Sequence, residues 1–330
     1  MPTECVRFDA EGARLMLALL ERLAAGEEVP EAVVQALLET PAYRLFFAHH
    51  NRFVNRGLAP AEFAAMLRAV PRGEFASENP QLQTMWSRFR EAPARLAELQ
   101  ALYDEVATGE AMPQAAQLAR RWLPEGAALD TTVFVLLDGM SGGFVYQGQV
   151  AFDLLQMTGA GRFMQVLAHE LHHIGVEGLW QGQFEAPHLA PGQHLALEFV
   201  GLLLGEGSAT RLISGAPEEP EGVAQWQGHM AHLDALFARA EDLLRRTWAG
   251  EIDEATFQAE VPSFLQGYMG EAYAVGYVMV ERILAALGSA AVLACLREPR
   301  RTLAVYNEAA ARTPGAYRFD EGLAGAVAGL

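Results

Sequence analysis

The chain contains no lysine, and its charge is strongly acidic. Its 24 basic residues are all arginine, and 41 acidic residues bring the formal net charge to −17 at pH 7. A protein that grips a nucleic acid or an acidic membrane surface needs a positive face. The composition therefore argues against both classes of partner.

The chain is also poor in cysteine and in long apolar runs. Its two cysteines, Cys5 and Cys295, fit no metal-binding or redox spacing. No run of about twenty apolar residues is free of charge, as a transmembrane helix requires. The start lacks a positive region, and Glu11 and Arg14 interrupt any apolar core of a secretion signal. We therefore expect no membrane span and a cytoplasmic location.

Helical patterns dominate the rest of the sequence. Prolines punctuate amphipathic runs up to about residue 125, which predicts a helical N-terminal region over residues 1–125. The segment 131–137 (TTVFVLL) is typical of a strand, and residues 144–155 are a second extended candidate. Later apolar spacing predicts helices over 161–177, from about 194 to 206, and over 223–248, 268–287, 290–296 and 302–312. The predicted fold class is mainly α with one small β-sheet (α+β).

One of these helices carries a pattern suited to metal chemistry, His169-Glu170-Leu171-His172-His173. A spacing of four residues puts His169 and His173 one turn apart on the same face, as two imidazole ligands of one zinc ion require. Glu170 is rotated about a quarter turn from His169, where it can take a proton from a metal-bound water. The pattern therefore predicts a zinc site with a built-in general base.

A catalytic zinc needs a third protein ligand and one open position. The best candidate is Glu206, because a lone carboxylate in so apolar a run is costly unless it is paired or metal-bound. Gly205 and Gly207 flank it, and we expect them to let this helix approach the motif helix closely. The competing ligands are Glu198, Glu177, His188 and His194, of which Glu198 is the strongest rival because it lies two turns earlier on a nearby face.

The two motifs together resemble the gluzincin class of zinc metallopeptidases. The likeness is greatest to small bacterial families of zinc-dependent peptidases that pair HExHH with a later Glu-Gly-x-Ala, here Glu206-Gly207-Ser208-Ala209. It covers residues 130–285 and implies a zincin-like catalytic domain over residues 126–330. It also implies His169, His173 and Glu206 as zinc ligands and Glu170 as general base. One departure is Thr210, which stands where related enzymes carry an acid that orients a ligand histidine.

A third segment adds two candidate catalytic residues. Tyr273 and Tyr277 are one helical turn apart, so either hydroxyl can stabilise the oxyanion that forms during hydrolysis at zinc. The related families also carry tyrosines in this region. The sequence slightly favours Tyr273 but does not decide between the two tyrosines. The adjacent pair His49-His50 is interpreted as structural, because neighbouring residues diverge by about 100° on a helix.

The predicted function is zinc-dependent hydrolysis of peptide bonds, with one zinc per chain. The substrate is expected to lie extended along a strand edge within residues 144–152. Two alternatives remain open. One is a zinc hydrolase that acts on a non-peptide amide or ester, and the other is a non-catalytic regulatory or structural zinc protein.

Overall fold

The computed structural model describes residues 5–53, 57–108, 111–184, 186, 188–217, 220–267 and 269–330. Within them the protein is mainly helical with one small sheet, which confirms the predicted fold class. None of the described helices is both long enough and apolar enough to span a membrane. Cys295 is buried as a free thiol, whereas the Cys5 side chain lies outside the described part.

All four strands of the described chain lie in its first half. The strands are β1 (Cys5–Asp9), β2 (Asp130–Leu136), β3 (Gly143–Tyr146) and β4 (Gln149–Asp153). The helices are α1 (Glu11–Ala24), α2 (Glu31–Leu38), α3 (Pro41–Phe53), α4 (Pro60–Ala69), α5 (Pro80–Glu91), α6 (Leu96–Thr108), α7 (Ala111–Arg120), α8 (Ala160–Phe184), α9 (Pro191–Ala209), α10 (Pro220–Ala231), α11 (Leu233–Trp248), α12 (Glu254–Glu260), α13 (Glu271–Leu287), α14 (Ser289–Arg297), α15 (Thr302–Ala310) and α16 (Glu321–Ala328).

The chain divides into two compact units. One comprises the described residues up to Gln117 together with Leu129–Ile174, and the other comprises Leu118–Ala128 together with Gly175–Leu330. These units divide the chain differently from the sequence-based boundary near residue 125. That boundary stays a prediction about the extent of the catalytic region.

The sheet lies in the first unit, in the strand order β1-β2-β4-β3. β1 and β4 both pair with β2 in parallel, and β3 pairs with β4 in antiparallel fashion. The central strand β2 is buried along most of its length because α1 and α3 pack against it. A side chain on Gly12 of α1 would press on Ala42 and on the Val135 carbonyl, so glycine there permits the close approach of helix and sheet.

The second extended candidate is a β-hairpin rather than one long strand. Gln147 and Gly148 separate β3 from β4, and both have positive φ angles, of 52° and 69°. A two-residue turn with both φ angles positive matches the twist of an antiparallel pair. β3 is therefore an outer strand, and β4 is paired on both sides.

Several elements differ from the sequence-based expectations. The N-terminal region is not purely helical, because residues 5–9 form β1 alongside β2. The motif helix α8 continues to Phe184, seven residues beyond the predicted end. The segment predicted as one helix over 223–248 breaks near His232, and the helix predicted from residue 268 begins at Glu271. Tyr268 itself lies outside the described residues.

In the second unit α9 and α13 cross with their backbones in contact. A side chain on Gly207 would overlap the backbone of Gly276, and one on Gly276 would overlap the Leu203 carbonyl oxygen. The sequence-based expectation assigned the contact of Gly207 to the motif helix, and this is wrong because its partner is α13. Since only glycine fits at both positions, this crossing fixes where α9 lies against α13.

Two buried carboxylates lie at the ends of the neighbouring parallel strands β2 and β4. Asp138 and Asp153 are both fully buried, and the Asp138 amide donates to Asp153 Oδ1 at 3.1 Å. Asp153 Oδ1 also accepts from the Leu155 amide at 3.0 Å, while its Oδ2 atom has no hydrogen-bond partner among the described residues. Burial, followed by the charge of Asp138, raises the pKa of Asp153 well above its ordinary value of 3.8.

We predict that Asp153→Asn makes the stability of the protein less dependent on pH. The folded state keeps a proton on Asp153 at pH values where the unfolded chain has released it, so stability falls as pH rises above about 4. While that proton stays bound, the parent should lose up to about 1.4 kcal/mol of unfolding free energy per pH unit relative to the variant. Urea unfolding at several pH values measures this slope. Equal slopes for parent and variant would show that Asp153 is ionised in the folded protein.

Candidate metal centre

Helix α8 places two ring nitrogens of the motif side by side. His169 Nε2 and His173 Nε2 are 3.1 Å apart, with ring centroids separated by 4.8 Å. This proximity follows from the four-residue spacing, which returns to the same face after one turn. Two nitrogens that bind one tetrahedral zinc at 2.0–2.1 Å are about 3.3 Å apart. The spacing of the two rings therefore fits a shared zinc ion.

The third imidazole of the motif, that of His172, lies in the protein core. His172 is fully buried, and its ring centroid lies 6.5 Å from that of His173. His169 is 8% exposed, while His173 is half-buried. A metal site that admits a substrate needs access to solvent, which His172 lacks. Of the three histidines in the motif, two therefore share one face of the helix and the third is a buried core residue.

Glu206 joins the histidine pair. One ligand atom each from His169, His173 and Glu206 lie within 4.8 Å of one another, and no other such group of three occurs among the described residues. All members of this group come from the two motifs of the sequence. The assignment of each residue as a ligand remains a prediction.

None of the rival ligands is a member of the three-residue group. His194 Nε2 lies 3.3 Å from Glu198 Oε1, one turn along α9, and His194 Nδ1 contacts the Phe184 carbonyl oxygen. Burial raises the pKa of Glu198, and the charge of His194 counteracts this effect. Glu177 and His188 are not members of the three-residue group. The pair of His194 and Glu198 joins the start of α9 to the end of α8.

The donor set fits zinc. Two imidazole nitrogens and one carboxylate oxygen form the ligand type of catalytic zinc sites, which keep a fourth position open. Structural zinc sites instead close with four protein ligands, usually including cysteine. Among the described residues, this group consists of three candidate ligands and contains no cysteine. The group could therefore hold a zinc ion that keeps a fourth position open.

Glu170 and Thr210 are neighbours in sequence of the residues in this group. Glu170 is half-buried on α8, next to His169. Thr210 is fully buried, and its hydroxyl forms no hydrogen bond with any described residue. Thr210 therefore does not take the place of the acid that orients a ligand histidine in related enzymes. It begins a π-helical turn, Thr210–Ser214, that directly continues α9.

The two tyrosines lie on the first turns of α13. The Tyr273 amide donates to the Gly270 carbonyl at 3.2 Å, at the start of the helix. The Tyr277 ring makes an edge contact with Trp226 at 5.1 Å between centroids, and the Arg211 guanidinium lies over it at 5.7 Å. Sequence reasoning missed Trp226 and Arg211. A cation five residues after a ligand candidate was the available signal for Arg211.

The pair His49-His50 belongs to the packing around the sheet. His49 stacks on Phe144 of β3 at 4.1 Å between centroids, and His50 Nδ1 is 3.2 Å from the Phe46 carbonyl oxygen. Burial, helped by the neighbouring His50, lowers the pKa of His49 to about 4. Neither residue is part of the three-residue metal group. These contacts agree with the structural interpretation.

A protein-family model matches the region that contains these candidate site residues. A family model described as "Putative zinc dependent peptidase (DUF5700)" matches residues 34–314. The chain belongs to this family. Searches of curated proteins and of solved structures gave no match. The family description supports a zinc-dependent enzyme.

We predict that Glu206→Ala removes tight zinc binding and that Glu198→Ala does not. The parent should contain one zinc per chain when purified without added metal. Loss of a first-sphere carboxylate should weaken the affinity by about a hundredfold, whereas Glu198 is engaged with His194. Elemental analysis and competition with a chelator measure both variants, and circular dichroism checks their fold. Zinc loss in Glu198→Ala with retention in Glu206→Ala would reverse the assignment.

Proposed function

We propose that the protein is a zinc-dependent metallopeptidase that hydrolyses peptide bonds. The observation that carries this proposal is the group of His169, His173 and Glu206, with Glu170 beside it on α8. His169, His173 and Glu206 would hold the ion. Zinc bound there supplies a Lewis acid that polarises the scissile carbonyl and makes a water molecule more acidic.

Glu170 is the proposed proton carrier. Glu170 follows His169 by one residue, which is a rotation of about 100° around the helix axis. Its carboxylate is therefore not on the face of the two histidines but on the adjacent face. From there it accepts the proton of the attacking water and passes it to the leaving amine. A carboxylate suits this role because it can accept a proton from the attacking water and return it to the leaving amine within one turnover.

The crossing of α9 and α13 supports a tyrosine as oxyanion donor. Gly207 contacts Gly276, and Arg211, which follows Gly207, pairs with Glu281, which follows Gly276. The two helices therefore run in the same direction. Glu206 precedes its glycine by one residue and Tyr277 follows its glycine by one. For parallel helices that face each other, these opposite rotations of about 100° lead to the same side.

Tyr273 is directed toward that side as well. It precedes Gly276 by three residues, a net rotation of about 60° in the sense of Tyr277. A phenol on this side is well situated to donate a hydrogen bond to a carbonyl oxygen as it becomes negative. Both tyrosines therefore stay candidates on the geometry of the helix pair alone.

An extended substrate is proposed to pair with β3. β4 is paired on both sides, so within residues 144–152 the part that belongs to β3 lies at the outer edge of the sheet and could accept a further strand. Main-chain pairing of this kind holds a peptide without regard to its sequence. This favours a peptide over a small non-peptide amide or ester.

The three-ligand donor set also weighs against a non-catalytic zinc protein. A purely structural ion would require a fourth protein ligand, and the described residues offer three at this place.

A cytoplasmic location and the absence of nucleic-acid partners remain expectations from the composition. The acidic surface is consistent with the second of these, because it repels phosphate backbones.

We predict that Glu170→Gln retains zinc and loses peptide cleavage. Glutamine preserves size and hydrogen bonding but cannot take a proton, so kcat should fall by about a thousandfold. A peptide-library cleavage assay, run with and without chelator, measures the loss. The matched control is Glu177→Gln, an exposed carboxylate two turns later on the same helix.

Cleavage by Glu170→Gln at the parent rate would refute the proposed base. Cleavage by the parent that persists after complete zinc removal would refute the metal-dependent mechanism as a whole.

A further inference from the structure

Arg211 connects the helix of the metal-ligand candidate Glu206 to the tyrosine helix. It lies in the π-helical turn that continues α9, five residues after Glu206. Its guanidinium forms an ion pair with Glu281 of α13 and lies over the ring of Tyr277, with 5.7 Å from Cζ to the ring centroid. Tyr277 and Glu281 are four residues apart, so they present one face of α13 to the same cation.

The arrangement gives Arg211 a defined orientation. A guanidinium is planar and rigid, and a carboxylate that accepts from its Nε atom limits its rotation. The attraction between the cation and the face of the ring then limits the rotation of Tyr277. Trp226 of α10 contacts the same ring at 5.1 Å between centroids with an interplanar angle of 82°. The ring of Tyr277 is thus held by two neighbours from different helices.

Arg211 lies in a π-helical turn. π-helical turns are rare and occur mostly as single turns, frequently at functional sites. Here the turn is closed by the Gly215 amide, which donates to the Thr210 carbonyl at 2.8 Å.

The charge of Arg211 is already matched. Its side chain is 30% exposed and that of Glu281 is 43% exposed, so the ion pair lies at the margin of solvent. A cation meant to bind a substrate carboxylate would be expected to lack such a partner. The geometry favours a role in holding Tyr277 over direct recognition of a substrate charge.

We propose that Arg211, oriented by Glu281, is a positioning residue that fixes the ring of Tyr277, and that Tyr277 rather than Tyr273 is the oxyanion donor. This inference rests on the proposed peptidase function. An oxyanion donor is effective only if its orientation is set before the reaction, since reorientation would cost part of its stabilising effect. The contacts of Arg211 and Trp226 supply that orientation.

A double-mutant cycle tests the kinetic part of the proposal. Tyr277→Phe should lower kcat by about a hundredfold, and Tyr273→Phe by less than about threefold. Arg211→Met should lower kcat by about tenfold with little change in KM. In the Tyr277→Phe background Arg211→Met should have no further effect, because it acts through the lost hydroxyl. Glu281→Gln should reproduce part of the effect of Arg211→Met.

A spectroscopic measurement tests the contact independently of activity. With 3-fluorotyrosine at position 277 alone, the ¹⁹F resonance of the zinc-loaded protein should shift and broaden in Arg211→Met and return partly in Arg211→Lys. The control is Arg245→Met, which removes an exposed guanidinium paired with Asp242 and Glu251 on and near α11. It should leave the resonance, the zinc content and kcat unchanged.

The outcomes separate the two proposals. If the parent cleaves no peptide but the resonance responds to Arg211→Met, the proposed function fails and the positioning contact stands. An unchanged resonance in Arg211→Met overturns the positioning role. Additive effects in the cycle, a larger loss in Tyr273→Phe than in Tyr277→Phe, or a rise in KM alone in Arg211→Met would each overturn the assignment of Tyr277.

Discussion

The contact between the backbones of α9 and α13 at Gly207 and Gly276 is the constraint on which the second unit depends. No side chain fits between the helices at this point, so their separation and register are fixed by the backbone itself. The contact lies one residue from Glu206 and one residue from Tyr277. A single close approach thus sets the positions of a candidate metal ligand and a candidate catalytic phenol together.

The same region carries a charge in an apolar helix. Most of α9 is buried, and a carboxylate within it is costly unless a cation or hydrogen bonds compensate. Two imidazoles that share a metal with Glu206 would provide that compensation, which couples metal binding to the stability of the helix pair. The first unit also contains buried acidic groups, because Asp153 and Asp138 are both fully buried. There the raised pKa of Asp153 relieves the repulsion by keeping a proton.

Much of the site was predictable from sequence because its signals are local. The spacing of His169 and His173 determines that they share a helical face, and the apolar surroundings of Glu206 mark it as exceptional. The role of Gly207 was harder to predict: its glycine identity indicates a close approach, but the partner helix lies about seventy residues later. Arg211 lies in a π turn, which side-chain periodicity does not indicate.

The sequence by itself determined the helix that carries the motif, the strand predicted over residues 131–137 and the mainly helical class, because these follow from periodicity and spacing within single elements. Only the tertiary structure decided that residues 5–9 pair with β2, that residues 144–155 form a hairpin with β3 outermost, and that Arg211 meets Tyr277. The first and last of these features join residues distant in the chain, and β3 is outermost because β4 pairs with the distant strand β2. Their energies depend on which surfaces meet, and a local pattern contains no information about that choice.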